Sequence, residues 1–181
     1  MAALTGGQVR SLTTAQVAAL TTLQVTSIET ADIPRLSSAQ VAAMSTAQVQ
    51  SLTARQIGAF NANQTRGLSS AQIAVLSEGQ LEALSTVQIR RLSTAQIQGL
   101  TTAQLNFMAS DQFATLTYDQ LKSLSTSAVA ALSEERIEDL TQVQVRRLTT
   151  DTLRAFTSTQ IAALETADVD ALNYLQIQSL S

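Results

Sequence analysis

The sequence predicts an all-α fold, an α-solenoid with one short helix for every eight residues. Three observations carry that reading: an octad register that never slips, a helix-capping signature inside each octad, and a sorting of charge within it. The stretch Leu12–Leu20, LTTAQVAAL, shows the unit most plainly.

The capping signature comes first. Thr13 and Gln16 form the S/T-x-x-E/Q box. The Thr13 hydroxyl can accept from the Gln16 amide N–H, and the Gln16 side chain can return to the Thr13 N–H. Leu12, just before the cap, and Val17, four residues after it, occupy the two positions of a hydrophobic staple. The octad therefore describes a helix of about six residues that begins afresh each time.

The register runs from end to end. Leu4, Leu12, Leu20, Ile28, Leu36, Met44 and Leu52 continue to Leu172 and Leu180 at a spacing of eight. Five residues after each stands Val9, Val17, Val25, Ile33 and so on to Ile177, with Thr65 the one polar member. Ser or Thr holds most cap positions, with Asn61 and Asn173 as good substitutes.

Charge placement tests the helix reading separately. Arg10, Arg35, Arg66, Arg90, Arg91, Lys122, Arg146, Arg147 and Arg154 fall on the last two residues of their octads; Arg55 and Arg136 do not. Most acids fall between cap and box, the exceptions being Glu82, Glu138, Asp139 and Asp170. Short helix dipoles favour this sorting, and a continuous helix offers no reason for it. Eight residues of uninterrupted α-helix turn through about 800°, so the stripe would wind round the helix without making a face. In a strand, Leu12 and Val17 would point to opposite faces. Ordering one octad costs more entropy than burying one Leu and one Val returns, so neighbours must stack.

The 181 residues read as a single octapeptide-repeat solenoid domain spanning 1–181. Two places test the pattern. Pro34, the sole proline, stands late in its octad, where the helix must already be ending. Asn61–Gly67 is the most degenerate unit, and Thr65 marks it for a kink or looser turn. Gly6-Gly7 reads as a frayed end. A longer period of seven octads relates Arg10 to Arg66 and Lys122, and Arg35 to Arg91 and Arg147. It reads as duplication of a block, with a surface pattern recurring along the superhelix as the rival.

Chemistry is sparse. The chain has no His and no Cys, which removes the commonest general base, the thiol nucleophile and most transition-metal sites. No catalytic, cofactor-binding or metal-ligating residue is predicted, and no cofactor. Glu134-Glu135 with Glu138-Asp139 is the densest acidic cluster and reads as solvated helix surface with Arg136 between the pairs. Phe60, Phe107, Phe113 and Phe156 read as core substitutions. The net charge of −3 and the lack of a basic arm disfavour nucleic acid and anionic membrane. No run of eighteen apolar residues offers a membrane span. Met1-Ala2-Ala3 leads straight into the first octad without a signal peptide, so the chain reads as intracellular or as a piece of something longer.

The units LTTAQVAAL, LSSAQVAAM, LSTAQIQGL and LTTAQLNFM resemble the octapeptide arrays of large bacterial surface and secreted proteins of the adhesin and haemagglutinin type. That resemblance covers the whole chain. It implies a spacer, stalk or scaffold in an extracellular or cell-surface setting. The opening LTxxQV is also similar to repeats of transcription-activator-like DNA-binding effectors. Those repeats are longer, carry a glycine-bearing base-reading loop and sit on a basic superhelix, and this chain has none of these.

The expected function is a non-catalytic, rigid structural array. The alternative is a protein- or glycan-binding module that uses rows of Arg and Glu. The partner expected first is the chain itself. Neither end carries a block of charge, so both are expected to expose apolar side chains and to favour end-to-end stacking of copies.

Overall fold

The computed structural model describes residues 5–180; Leu4, the first of the Leu series, and Ser181 lie outside them. Among the described residues the chain forms 22 short helices and no strand. Each helix has five or six residues, one to an octad, as the capping pattern predicts. The residues group into two compact units, Met1–Gly99 and Leu100–Ser181.

The local structure follows from the cap. In Thr14–Ala19 the Thr13 side chain accepts from the Gln16 N–H at 3.2 Å, and Gln16 Oε1 accepts the Thr13 N–H at 2.8 Å. The same two bonds recur at Ser37, Ser45, Thr53, Asn61 and Ser69. Helices end without a left-handed residue, for no described residue has positive φ. Instead Leu20 takes an extended conformation (φ −64°, ψ 142°), and its N–H closes the helix by donating to Val17 O at 3.2 Å. Thr21 is extended too and caps the next helix. Leu20 and Thr21 thus make their corner with two β-region residues and no glycine.

Within each unit a helix packs on the one three octads later. In the first unit Ser38–Ala42 packs on Ala62–Gly67, and Ser70–Ala74 on Thr94–Gln98. In the second, Gln142–Arg147 packs on Thr166–Ala171, and Thr150–Arg154 on Tyr174–Gln178. One superhelical turn is thus three octads. Glycine at the octad's last position allows the closest approaches. A Cβ at Gly67 would lie 2.6 Å from the Ser38 carbonyl oxygen, and one at Gly99 would lie 2.7 Å from that of Ser70.

Both staple series point inward. Val41, Val49, Ile57, Ile73, Ile89 and Ile97 are wholly buried, with Met44, Leu52, Phe60 and Leu68 nearly so. The first unit begins with Leu12 and Leu20 only half-buried, while Val9, Val17 and Val25 are already covered. In the last octads the pattern inverts: Val169 is 39% and Ile177 43% exposed. The Leu series is therefore sealed by the preceding turn and the Val/Ile series by the following one. The expectation that both ends expose apolar side chains is corrected at Val9, which is wholly buried.

Two other expectations need correcting. The unit with Thr65 is a regular helix, Ala62–Gly67, with Asn61 as its cap. Thr65 is fully buried, and its hydroxyl donates to Asn61 O at 3.1 Å, so the polar side chain is satisfied without a kink. The departure lies at Thr30–Arg35, a 3₁₀ helix containing Pro34 and lacking a side-chain cap at Glu29. Bonds from Asp32 N to Glu29 O and from Leu36 N to Ile33 O keep that octad in register. Gly6 and Gly7 form the first turn of a capped helix, Gly6–Ser11.

The box Gln has a second task. Gln72 Nε2 donates to Met44 O at 2.6 Å and Val41 O at 3.2 Å, one turn back. Gln48, Gln64, Gln80 and Gln96 do the same to Leu20, Leu36, Leu52 and Leu68. Gln16, in the first turn, is exposed. Gln72→Glu keeps the capping acceptor but sets a carboxylate against two carbonyls, so it should destabilise by about 3 kcal/mol. Gln16→Glu should be nearly neutral. Urea denaturation at neutral pH checks both, and equal effects would refute the clamp.

Candidate functional site

The polar groups of this chain are mostly committed to its own backbone. At every octad in the first unit from Gln40 to Gln96 the fifth position is a buried Gln. Each amide reaches the corner one turn below, where a helix C-terminus leaves carbonyls without a partner in the helix. Even Gln88, beside Thr65, keeps the main bond, to Phe60 O at 2.6 Å, and sets its amide 3.4 Å from the Thr65 hydroxyl.

In the second unit the fifth position varies. Gln144, Gln160 and Gln176 clamp Leu116, Leu132 and Leu148, each at 2.7 Å. Ala128, Arg136, Thr152 and Asp168 stand at that position in four of its ten octads, and Gln in the other six.

Arg136 corrects the reading of the acidic cluster. It is not solvated between its neighbours but 1% exposed, with its guanidinium in the clamp slot. Nη1 donates to Met108 O, the acceptor a Gln would use. Nη2 donates to Glu135 Oε1 at 2.6 Å and lies 2.8 Å from Asp139 Oδ2. The guanidinium also faces the Phe113 ring, 5.6 Å from its centroid. Nε makes no hydrogen bond. A buried cation of this kind holds its place only while its acids remain, for removing a partner leaves an uncompensated charge. Two of the four acids, Glu135 and Asp139, therefore anchor Arg136. Among the described residues no group of three or more His, Cys, Asp or Glu lies close enough to hold a metal ion.

Asp168 occupies the same slot but has no N–H to offer. It is 5% exposed. Burial pushes its carboxyl above the ordinary value of 3.8, opposed by a hydrogen bond with the Glu165 backbone and assisted by the Glu165 charge.

The surface rows proposed for binding do not line up. With three octads to a turn, seven octads are two turns and a third, so Arg10 and Arg66 lie on different sides of the first unit, as do Arg35 and Arg91. The seven-octad period is thus a property of the sequence and not of one face. In the first unit the exposed apolar residues are scattered too: Leu23 (78%) and Val87 (62%) are eight octads apart and again on different sides. Phe60, Phe113 and Phe156 are core residues, whereas Phe107 is 48% exposed. No described helix is long and apolar enough to cross a membrane.

These features define a tandem-repeat helical solenoid in which the repeat residues satisfy one another. The repeat family described as the ALTTAQ repeat matches the chain over residues 25–62, 83–118 and 145–181, more than half its length. The chain belongs to that family. No curated protein matches it.

Sequence reasoning found the cap role of the Gln but missed the clamp. The signal was present: a capping box accepts Glu as readily as Gln, yet no octad carries Glu at the fifth position. Arg136 was flagged too, as one of two bases out of place.

Asp168→Gln should restore the clamp and raise stability at neutral pH. The sign follows from the raised carboxyl: the folded state binds its proton more tightly than the unfolded chain, so ionisation costs stability above the folded-state value and the cost vanishes as pH falls through it. The gap in Tm between the two proteins should therefore narrow on acidification. A gap that widens towards acid overturns the assignment.

Proposed function

We propose that the chain is a non-catalytic scaffold, a rigid spacer or stalk within a larger bacterial surface protein. The observation that supports it is the unbroken row of buried clamps from Gln40 to Gln96, which ties each corner to the one a turn away. Such a device confers stiffness and consumes the side chains that chemistry would need. The octapeptide arrays that the units resemble supply the surface setting. Association with further octads, including those of a second copy, belongs to the same reading. Val169, Tyr174, Leu175 and Ile177 are exposed on the last turns, and the equivalents of Val169 and Ile177 in earlier turns are covered by the turn that follows.

Rigidity is tested with spin labels, since the chain has no native Cys. Thr22→Cys and Thr94→Cys lie three turns apart on one side of the first unit, and both are exposed. Pulsed electron–electron resonance should give one narrow distance. A broad distribution rules out a rigid spacer.

Association is tested by sedimentation over a concentration series. Mass should rise for the natural chain and stay monomeric for the Val169→Glu/Ile177→Glu variant. If both remain monomeric at millimolar concentration, end-to-end stacking is wrong.

A further inference from the structure

At one corner of the second unit the clamp is missing and the packing beside it is open. At the fifth position of its octad Thr152 stands where Gln would reach back to Leu121 and Leu124. Its hydroxyl instead lies 2.9 Å from that of Thr149, in its own first turn. One turn earlier on the same edge the fifth position is Ala128, which has no side-chain donor. Two successive turns on one edge therefore lack the clamp.

Packing at that corner is loose as well. Two small cavities meet there, sharing Leu121, Leu148 and Thr152. One is bordered by Tyr118, Lys122 and Arg147, and the other is apolar apart from Thr152. Each has room for about one water-sized sphere, about 10 Å³. Leu124 is only half-buried, whereas its counterparts Leu116 and Leu132 are buried.

We infer that the Leu121–Leu124 corner facing Thr152 is the point at which the second unit opens. Parting the Val129–Leu132 corner breaks two bonds from the Gln160 amide, at 2.9 and 2.7 Å. Parting the Leu121–Leu124 corner breaks no such bond, and the adjoining void means that fewer dispersion contacts are lost. The corner is a built-in compliance, a place where one turn separates while its neighbours stay closed.

The test is amide hydrogen exchange on the full chain, read residue by residue by NMR. The Leu124 and Leu132 amides are equivalent, each donating to the carbonyl three residues before it, at 3.2 and 3.1 Å. Leu124 should exchange faster, on the order of tenfold or more, because two net hydrogen bonds separate the corners. Thr152→Gln should slow Leu124 to the rate of Leu132. The reciprocal Gln160→Thr should speed Leu132 by a similar factor, and it decides the matter alone if Thr152→Gln does not fold. Equal protection of the two amides in the natural chain overturns the inference. So does a difference that neither substitution moves while circular dichroism stays unchanged.

Discussion

The whole array depends on one hydrogen-bonding problem, the supply of partners for helix-terminal carbonyls. An α-helix leaves four N–H and four C=O groups unpaired at its ends. In a helix of five or six residues nearly every backbone group is an end group. The N-terminal side is satisfied locally by the Ser or Thr hydroxyl and by the Gln Oε1. The C-terminal side is satisfied from a distance, by the Nε2 of a Gln that belongs to the next turn. A single side chain thus caps its own helix and the end of another 28 residues away, as Gln64 does with Asn61 N and Leu36 O. Helix formation and stacking are therefore one process. A lone octad would have its Gln but no corner to receive it, and no Gln to serve its own corner.

What was legible in the sequence, and what was not, divides along the same line. Cap, box and staple are contacts within one octad, so the residues that make them stand at fixed short spacings and can be read directly. Three octads per turn is not legible in this way. It depends on the corner angle, which comes from extended conformations at pairs such as Leu20 and Thr21 that many sequences share. Once the turn length is known, the rest follows. Arg136 falls into the clamp slot by counting, although its neighbours Glu134 and Glu135 suggest a solvated strand of charge. Thr65 looked like a defect because its partners, Asn61 O and the Gln88 amide, are invisible to a rule that asks only whether a staple residue is apolar. Pro34 stands one residue before the end of its helix, and a 3₁₀ turn is how the chain accommodates it.

The turn length also separates two kinds of pattern that a linear reading runs together. Residues 24 apart share a side, as Arg66 and Arg90 do in the first unit. Residues 56 apart do not, however closely they match in type. The repetition of Arg10 at Arg66, or of Arg35 at Arg91, therefore cannot build a continuous charged stripe. It is the spacing that copying a block of octads in register would leave. Copying in register costs nothing structurally, because every octad satisfies the same corner rule.

That rule also limits where the chain can vary. Positions one and six are taken by the core and two and five by the backbone, while position eight is small where it meets the preceding turn closely, as at Gly67 and Gly99. The third, fourth and seventh positions are left, and there the exposed Leu23, Val87 and Val143 and most of the Arg residues stand. Variation at position five is of another kind, since it alters the bonding between turns and not the surface. All eight fifth positions from Gln40 to Gln96 keep the clamp, whereas Ala128, Arg136, Thr152 and Asp168 each resolve the loss differently. Arg136 substitutes one donor for another at the cost of two acids. Asp168 buries a carboxyl where a donor belongs. Thr152 turns back on its own cap and leaves space. A fold repeated this strictly therefore acquires local mechanical character by relaxing a single position of the repeat, with the core and the register untouched.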